Sequence, residues 1–213
     1  MRPRGDGRAH RFAADPQCSA DNQERACEMT TVRTALDRLA HAAKEIPTLE
    51  SPYELEEPTL GPPCCAAELD ELREQLGGDK AFPDEYLEFL GFCRRVVAMD
   101  VYNGYMLYSP LELGCLGAGA PTFIQVPDTG THEEVFVVSI GRDGGGNQFL
   151  MATSSNLRGA VWKWDHASEV RFDGMGKEGL TLVAHTFAAF LHRVAEDWEA
   201  FLRDDRGWKY VSG

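Results

Sequence analysis

Apolar residues recur at helical spacing near both ends of the chain and at strand spacing between them. Val32, Leu36, Leu39, Ala40 and Ala43 share one face of a helix predicted over 31–45. Leu69, Leu72 and Leu76 do the same over 66–76, and Gly77–Gly78 supplies the stop. Pro83, Asp84 and Glu85 suit the first turn of a third helix. Proline has no amide to lose there, and the acids complement the positive helix end. The apolar face of that helix is predicted as Tyr86, Phe89, Leu90, Cys93, Val96 and Val97. Asn103–Gly104 then opens a β half.

Strands are predicted at 105–108, 134–140, 148–152 and 160–164. The turn Asp143–Gly144–Gly145–Gly146–Asn147 and a Ser/Asn/Gly turn join the last three. Short polar connections of this kind favour antiparallel neighbours over crossovers. A long helix is predicted from 181 to 203, with Val183, Phe187, Phe190, Leu191, Val194, Trp198 and Phe201 as its buried stripe. Helices, then strands, then a helix indicate an α+β fold: an antiparallel-rich sheet flanked by helices, with a long C-terminal helix. A length of 213 residues suits one domain, placed at 30–205, with 206–213 as a C-terminal tail.

Residues 1–29 have no period and few large apolar side chains, so they are expected to be disordered. Met29, just ahead of the first helical pattern, offers a second candidate start. Five of the eleven prolines fall between Pro47 and Pro63, among Glu50, Glu54, Glu56 and Glu57, which reads as a stiff acidic linker.

Charge narrows the function. The chain carries −13, and residues 1–29 hold five basic and five acidic side chains that cancel. The rest therefore holds 16 basic against 29 acidic residues. That surface repels nucleic acid, which requires a basic footprint. It would steer a basic protein partner, or simply keep the chain soluble. No run approaches the roughly 18 apolar residues of a membrane span. The N-terminal arginines lead into no apolar signal core. Six cysteines without a CxxC pair read as reduced thiols in a cytoplasmic protein. Arginine outnumbers lysine 16 to 5, which hints at a GC-rich bacterial genome.

Candidate chemistry is sparse. A strand rather than a helix follows the glycine turn, and no Gly-Lys-Ser/Thr is present, so it reads as structural, with positive φ, and not as a phosphate loop. His185 and His192 are expected to face solvent, opposite the Phe187 stripe. His166 continues the Trp162–Trp164 side of its strand by period two, and a backbone hydrogen bond is expected for it. Asp165 falls on the other side with Lys163, which argues against an acid–base pair. The enzyme alternative is a cysteine hydrolase using Cys115 or Cys93 with His166, but no motif accompanies it. No cofactor and no metal are expected. Trp162 and Trp164 admit two readings: core beneath the last helix, or an exposed docking hot spot ringed by acids.

Several segments resemble a known family. FPDEYLEFL at 82–90 resembles the LP-x-x-Y-x-x-FL helix start of SUKH domains, and LYSPLEL at 107–113 resembles the strand that follows. Gly144–Gly145–Gly146–Asn147 and then VWKWDH at 161–166 resemble the family's glycine-rich turn and its V-Y/F-x-W-D-H strand end. TFAAFL at 186–191 resembles its last helix. The segments stand in family order and cover about 66–203. Cys93–Arg94–Arg95–Val96 replaces the usual Asn-Gly-Gly turn, and Met151–Ala152–Thr153 replaces Leu-Asp-Leu.

The resemblance implies a compact, non-catalytic α+β domain. Bacterial members mostly neutralise toxins by binding them, and fungal relatives are interaction hubs in cell-wall regulation. On that basis the chain is expected to be an immunity-type protein that binds a basic toxin domain, with a regulatory hub as the alternative. The partner-binding residues are expected to be Trp162, Trp164, His166 and Asp143 on the sheet, with Glu71, Glu74, Asp84 and Glu88 on the second and third helices.

Overall fold

The Thr31 side chain accepts a hydrogen bond from the Thr34 amide at 3.3 Å and so caps the first helix, α1 (Val32–Glu45). Val32, Ala35, Leu36, Leu39 and Ala42 form its buried face. In the computed structural model, residues 31–46, 60–76, 80–98, 101–109, 120–125, 132–167 and 179–212 are described. Residues 1–29 and most of the proline-rich linker lie outside them. The further elements are α2 (Ala66–Gln75), α3 (Asp84–Phe92), β1 (Arg95–Ala98), β2 (Tyr105–Tyr108), β3 (Ala120–Gln125), β4 (His132–Asp143), β5 (Gln148–Ala152), β6 (Val161–Trp164), β7 (Leu180–Ala184) and α4 (Phe187–Leu202).

The strands form one antiparallel sheet in the order β1-β2-β4-β5-β6-β7, with β3 paired to β4 off this path. β4 is long enough to divide one edge between two partners: its 132–137 end pairs with β3 and its 141–143 end with β2. A register shift between Ser139 and Gly141 lies close to the β2 junction. There a Cβ on Gly141 would meet Leu107 Cδ2 and the Met106 carbonyl oxygen at 2.7 Å, so only glycine fits. Alternation gives the sheet two apolar faces. Val138, Ile140, Phe149, Met151 and Val161 join the helices in the main core. Val135, Val137, Leu150, Ala152, Ala160 and Trp162 form a second cluster on the other face.

Two helix boundaries differ from the periodicity reading. α3 ends at Phe92, because Cys93 turns extended (φ −152°), and Val96 and Val97 belong to β1 opposite Leu107 and Met106. Two adjacent β-branched residues fit a pleated strand better than a helix, and Val96 still reaches the same core from it. α4 begins at Phe187, where Thr186 caps it by accepting from the Ala189 amide at 3.1 Å. Val183 therefore sits on β7, which pairs with β6. The strands β1, β3 and β7 were hidden, β3 partly because it carries Pro121, a residue that fits only an edge strand.

The segment 206–213 is expected to be a tail; within it Arg206, Gly207 and Lys209 are exposed, while its far end touches the domain. Val211 and Ser212 are buried, and the Asn103 side chain donates to the Ser212 carbonyl at 3.0 Å.

Candidate functional site

Acids of α2 and α3 divide between structural partners and open surface. Glu68 is committed to structure: it accepts from the Cys65 amide at 2.7 Å, capping α2, and from Arg94 through two nitrogens at 3.0 Å. Those bonds, the Cys65 amide first, hold its carboxyl below the usual carboxylate range. Glu85 accepts from the Ala188 amide at 2.9 Å and so caps α4 from a different element. Glu71, Glu74, Asp84 and Glu88 remain exposed. Glu71 and Glu74 lie on the side of α2 away from Leu69 and Leu72. Asp84 and Glu88 line an open groove of about 590 Å³ with Arg33, Leu69, Arg73 and Phe92.

The glycine turn is a rigid corner. Asp143 is buried, accepting from the Asn147 amide at 2.9 Å and the Asn147 side chain at 2.8 Å, with Lys163 Nζ at 3.4 Å. Gly146 takes φ +90°, the conformation the sequence predicted for this turn. His166 is exposed, and its partner is a side chain rather than backbone: Asn147 Oδ1 lies 3.3 Å from its amide and 3.1 Å from Nδ1. One asparagine thus ties the turn to the end of β6. Asp143 faces this tie and not the surface.

Trp162 and Trp164 point away from the helices, so neither is core beneath α4. Trp162 is 2% exposed within the second cluster, and Trp164 is half-buried beside it with Leu180 and Leu182. The acids of α2 and α3 belong to the opposite side of the sheet. Indoles and acids therefore do not interleave on one surface: the expected site residues divide into the acidic helical side, the glycine-turn corner and the far sheet face.

Two buried polar clusters escaped the periodicity reading. His192 is 6% exposed rather than solvent-facing, with Nδ1 3.1 Å from an Arg38 guanidinium nitrogen. Arg38 clamps Glu199 at 2.8 Å through both carboxylate oxygens, joining α1 to α4, and this bond holds the Glu199 carboxyl down. Asp197 is fully buried and accepts from the Tyr105 hydroxyl, from Trp208 Nε1 at 2.6 Å and from the Val211 amide at 2.7 Å. It fastens the C-terminal return, residues 208–212, against β2.

Nucleophilic and metal chemistry find little here. Burial, with Cys64 adding, pushes the Cys93 thiol up to about 12, far from a reactive thiolate. Cys115 lies outside the described residues. Among the described residues no three His, Cys, Asp or Glu side chains come together to hold a metal, and no helix is long and apolar enough to cross a membrane.

What these surfaces offer among the described residues is exposed carboxylates on two helices, a stiff corner, and aromatic side chains. Compared with known proteins, the chain matches no curated protein. It does match a family model over two-thirds of its length, from the approach to α2 to the end of α4. The chain belongs to the SMI1 / KNR4 family (SUKH-1), whose model covers residues 63–204.

Proposed function

We propose that this protein is an immunity-type binding protein of the bacterial cytoplasm that neutralises a toxin by occupying it, without catalysis, cofactor, nucleic acid or membrane. The observation that carries the reading is the exposed acidic side of α2 and α3, Glu71, Glu74, Asp84 and Glu88, in a SUKH-1 domain whose chain bears −13. Its complement is a basic toxin domain. Rim carboxylates act mostly on encounter, raising the association rate in a salt-sensitive way.

The test is stopped-flow association with the toxin domain encoded beside its gene. Glu71→Lys with Glu74→Lys is expected to slow association about tenfold at low salt and to leave dissociation nearly unchanged. Stability should hold, since both side chains are exposed and the hydrogen bond recorded for Glu71 is a surface one, from Gln75 at 2.9 Å. A double variant that associates as fast as the wild type, with no salt dependence in either, removes electrostatic steering from the account. Weak binding of several unrelated proteins and none of the toxin would instead favour the regulatory-hub reading.

A further inference from the structure

Tyr102 is 63% exposed, the most exposed large apolar side chain among the described residues, and its backbone is held at φ +52°. Asp204 has the same unusual conformation. Both border one open pocket of about 630 Å³, together with Phe201, Asp205, Arg206, Trp208, Lys209 and Tyr210. For Asp204 this is the ordinary left-handed end of α4, with the Asp204 and Asp205 amides on the Phe201 and Ala200 carbonyls at 3.0 Å. Tyr102 takes it in a turn that the Gly104 amide closes on the Val101 carbonyl at 2.8 Å. The walls are pinned to the core. Trp208 donates to the buried Asp197, the Asp204 amide to the Phe201 carbonyl at 3.0 Å, and the Asn103 side chain to Ser212. The Tyr102 and Tyr210 rings stack at 4.8 Å and 3°, which offers a flat π surface to solvent.

We propose that this pocket receives an arginine side chain of the protein partner, its guanidinium stacked on the tyrosine pair and paired with Asp204 or Asp205. A planar guanidinium matches both an aromatic face and a carboxylate fork. The Tyr210 phenol is raised first by burial and then by Asp197, Asp205 and Asp204, against Arg203, so those carboxylates are felt at the ring. Arg206 and Lys209 share the lining and are the cations that an incoming guanidinium would displace. Asp204 already shows the pairing: Arg206 lies 3.4 Å away, with both side chains more than three-quarters exposed and free to exchange for a better-placed cation. Lys209, also on the rim, lacks the planar group that stacking requires. The inference rests on the reading of the chain as a binder of a basic protein and adds the residue type that the binder grips.

The test uses the full chain and two peptides, acetyl-Gly-Arg-Gly-amide and its citrulline counterpart, which has nearly the same shape without the charge. Titration followed by NMR is expected to move the Trp208 indole and the Tyr102 and Tyr210 ring signals saturably with the arginine peptide, and about fivefold more weakly with citrulline. Tyr102→Leu keeps apolar area and removes the π face, while Asp204→Asn keeps a residue tolerant of positive φ and removes the charge. Each should weaken the arginine peptide several-fold with the remaining spectrum unchanged. Equal response to both peptides, or arginine-induced shifts confined to α2 and α3, would overturn the proposal. The outcome is separable from the toxin reading. A pocket that selects arginine in a protein that binds no toxin sinks the immunity function alone. A toxin complex unaffected by Tyr102→Leu and Asp204→Asn sinks the pocket alone.

Discussion

Replacement of Asp197 by alanine is expected to cost about 3–5 kcal/mol and to release residues 208–212 from the domain. The carboxylate is fully buried and is the shared acceptor of the Tyr105 hydroxyl, the Trp208 indole and the Val211 amide. Removing it strands those donors, and a buried donor without an acceptor costs about 1–3 kcal/mol. Urea unfolding reads the loss, and hydrogen exchange at 208–212 reads the release. A loss below about 1 kcal/mol with the return still protected would show that other contacts hold it.

The same carboxyl gives a pH signature. Burial raises it above the ordinary Asp value, against the pull of its donors. The folded protein therefore holds this proton more tightly than the unfolded chain does. The resulting stability is fully present below the unfolded value, near pH 4, and is lost as pH rises through the folded one. Glu68 and Glu199 are held down by their partners and work in the opposite sense, losing stability in acid. Asp197→Asn leaves those two in place and removes only the Asp197 titration. The stability difference between wild type and Asp197→Asn should shrink as pH rises from about 4. A difference that widens contradicts the assignment.

Trp162→Ala is expected to cost about 3–5 kcal/mol, or roughly 10 °C in melting temperature. The indole is 2% exposed among Val135, Val137, Leu150, Ala152 and Ala160, and alanine leaves a cavity those neighbours cannot close. Trp164 sits half-buried at the border of the same cluster, so Trp164→Ala should cost nearer 1 kcal/mol. If the far sheet face docks the partner, the effect of Trp164→Ala appears instead as faster dissociation. A Trp162→Ala variant that melts with the wild type yet fails to bind would make that residue a contact and not core.

Much of the fold could be read from local pattern, and the failures have a common cause. α1, α2, β2 and β5 announce themselves through spacing and punctuation within the element. β1 and β7 instead abut a helix, so their valines and leucines fell into a helical period that ran past its true end. Cys93 and Thr186 mark those ends through backbone conformation and capping, which periodicity does not report. The acids of α2 and α3 were readable as charge, but not which of them were already spent: Glu68 and Glu85 serve partners on other elements. His192 was misplaced because its partner, Arg38, lies 154 positions away. The pocket at Tyr102 was invisible for the same reason. Its two sides meet across a hydrogen bond between residues 109 positions apart, Asn103 and Ser212, and only the folded chain closes it.

The most direct test of the central claim is survival. Cells that express the toxin encoded beside this gene should die, and cells that also express this protein should grow as if the toxin were absent. Protection should weaken with Glu71→Lys plus Glu74→Lys while the protein level stays constant. If cells die as fast with the protein as without it, this protein does not neutralise that toxin and the immunity function is wrong.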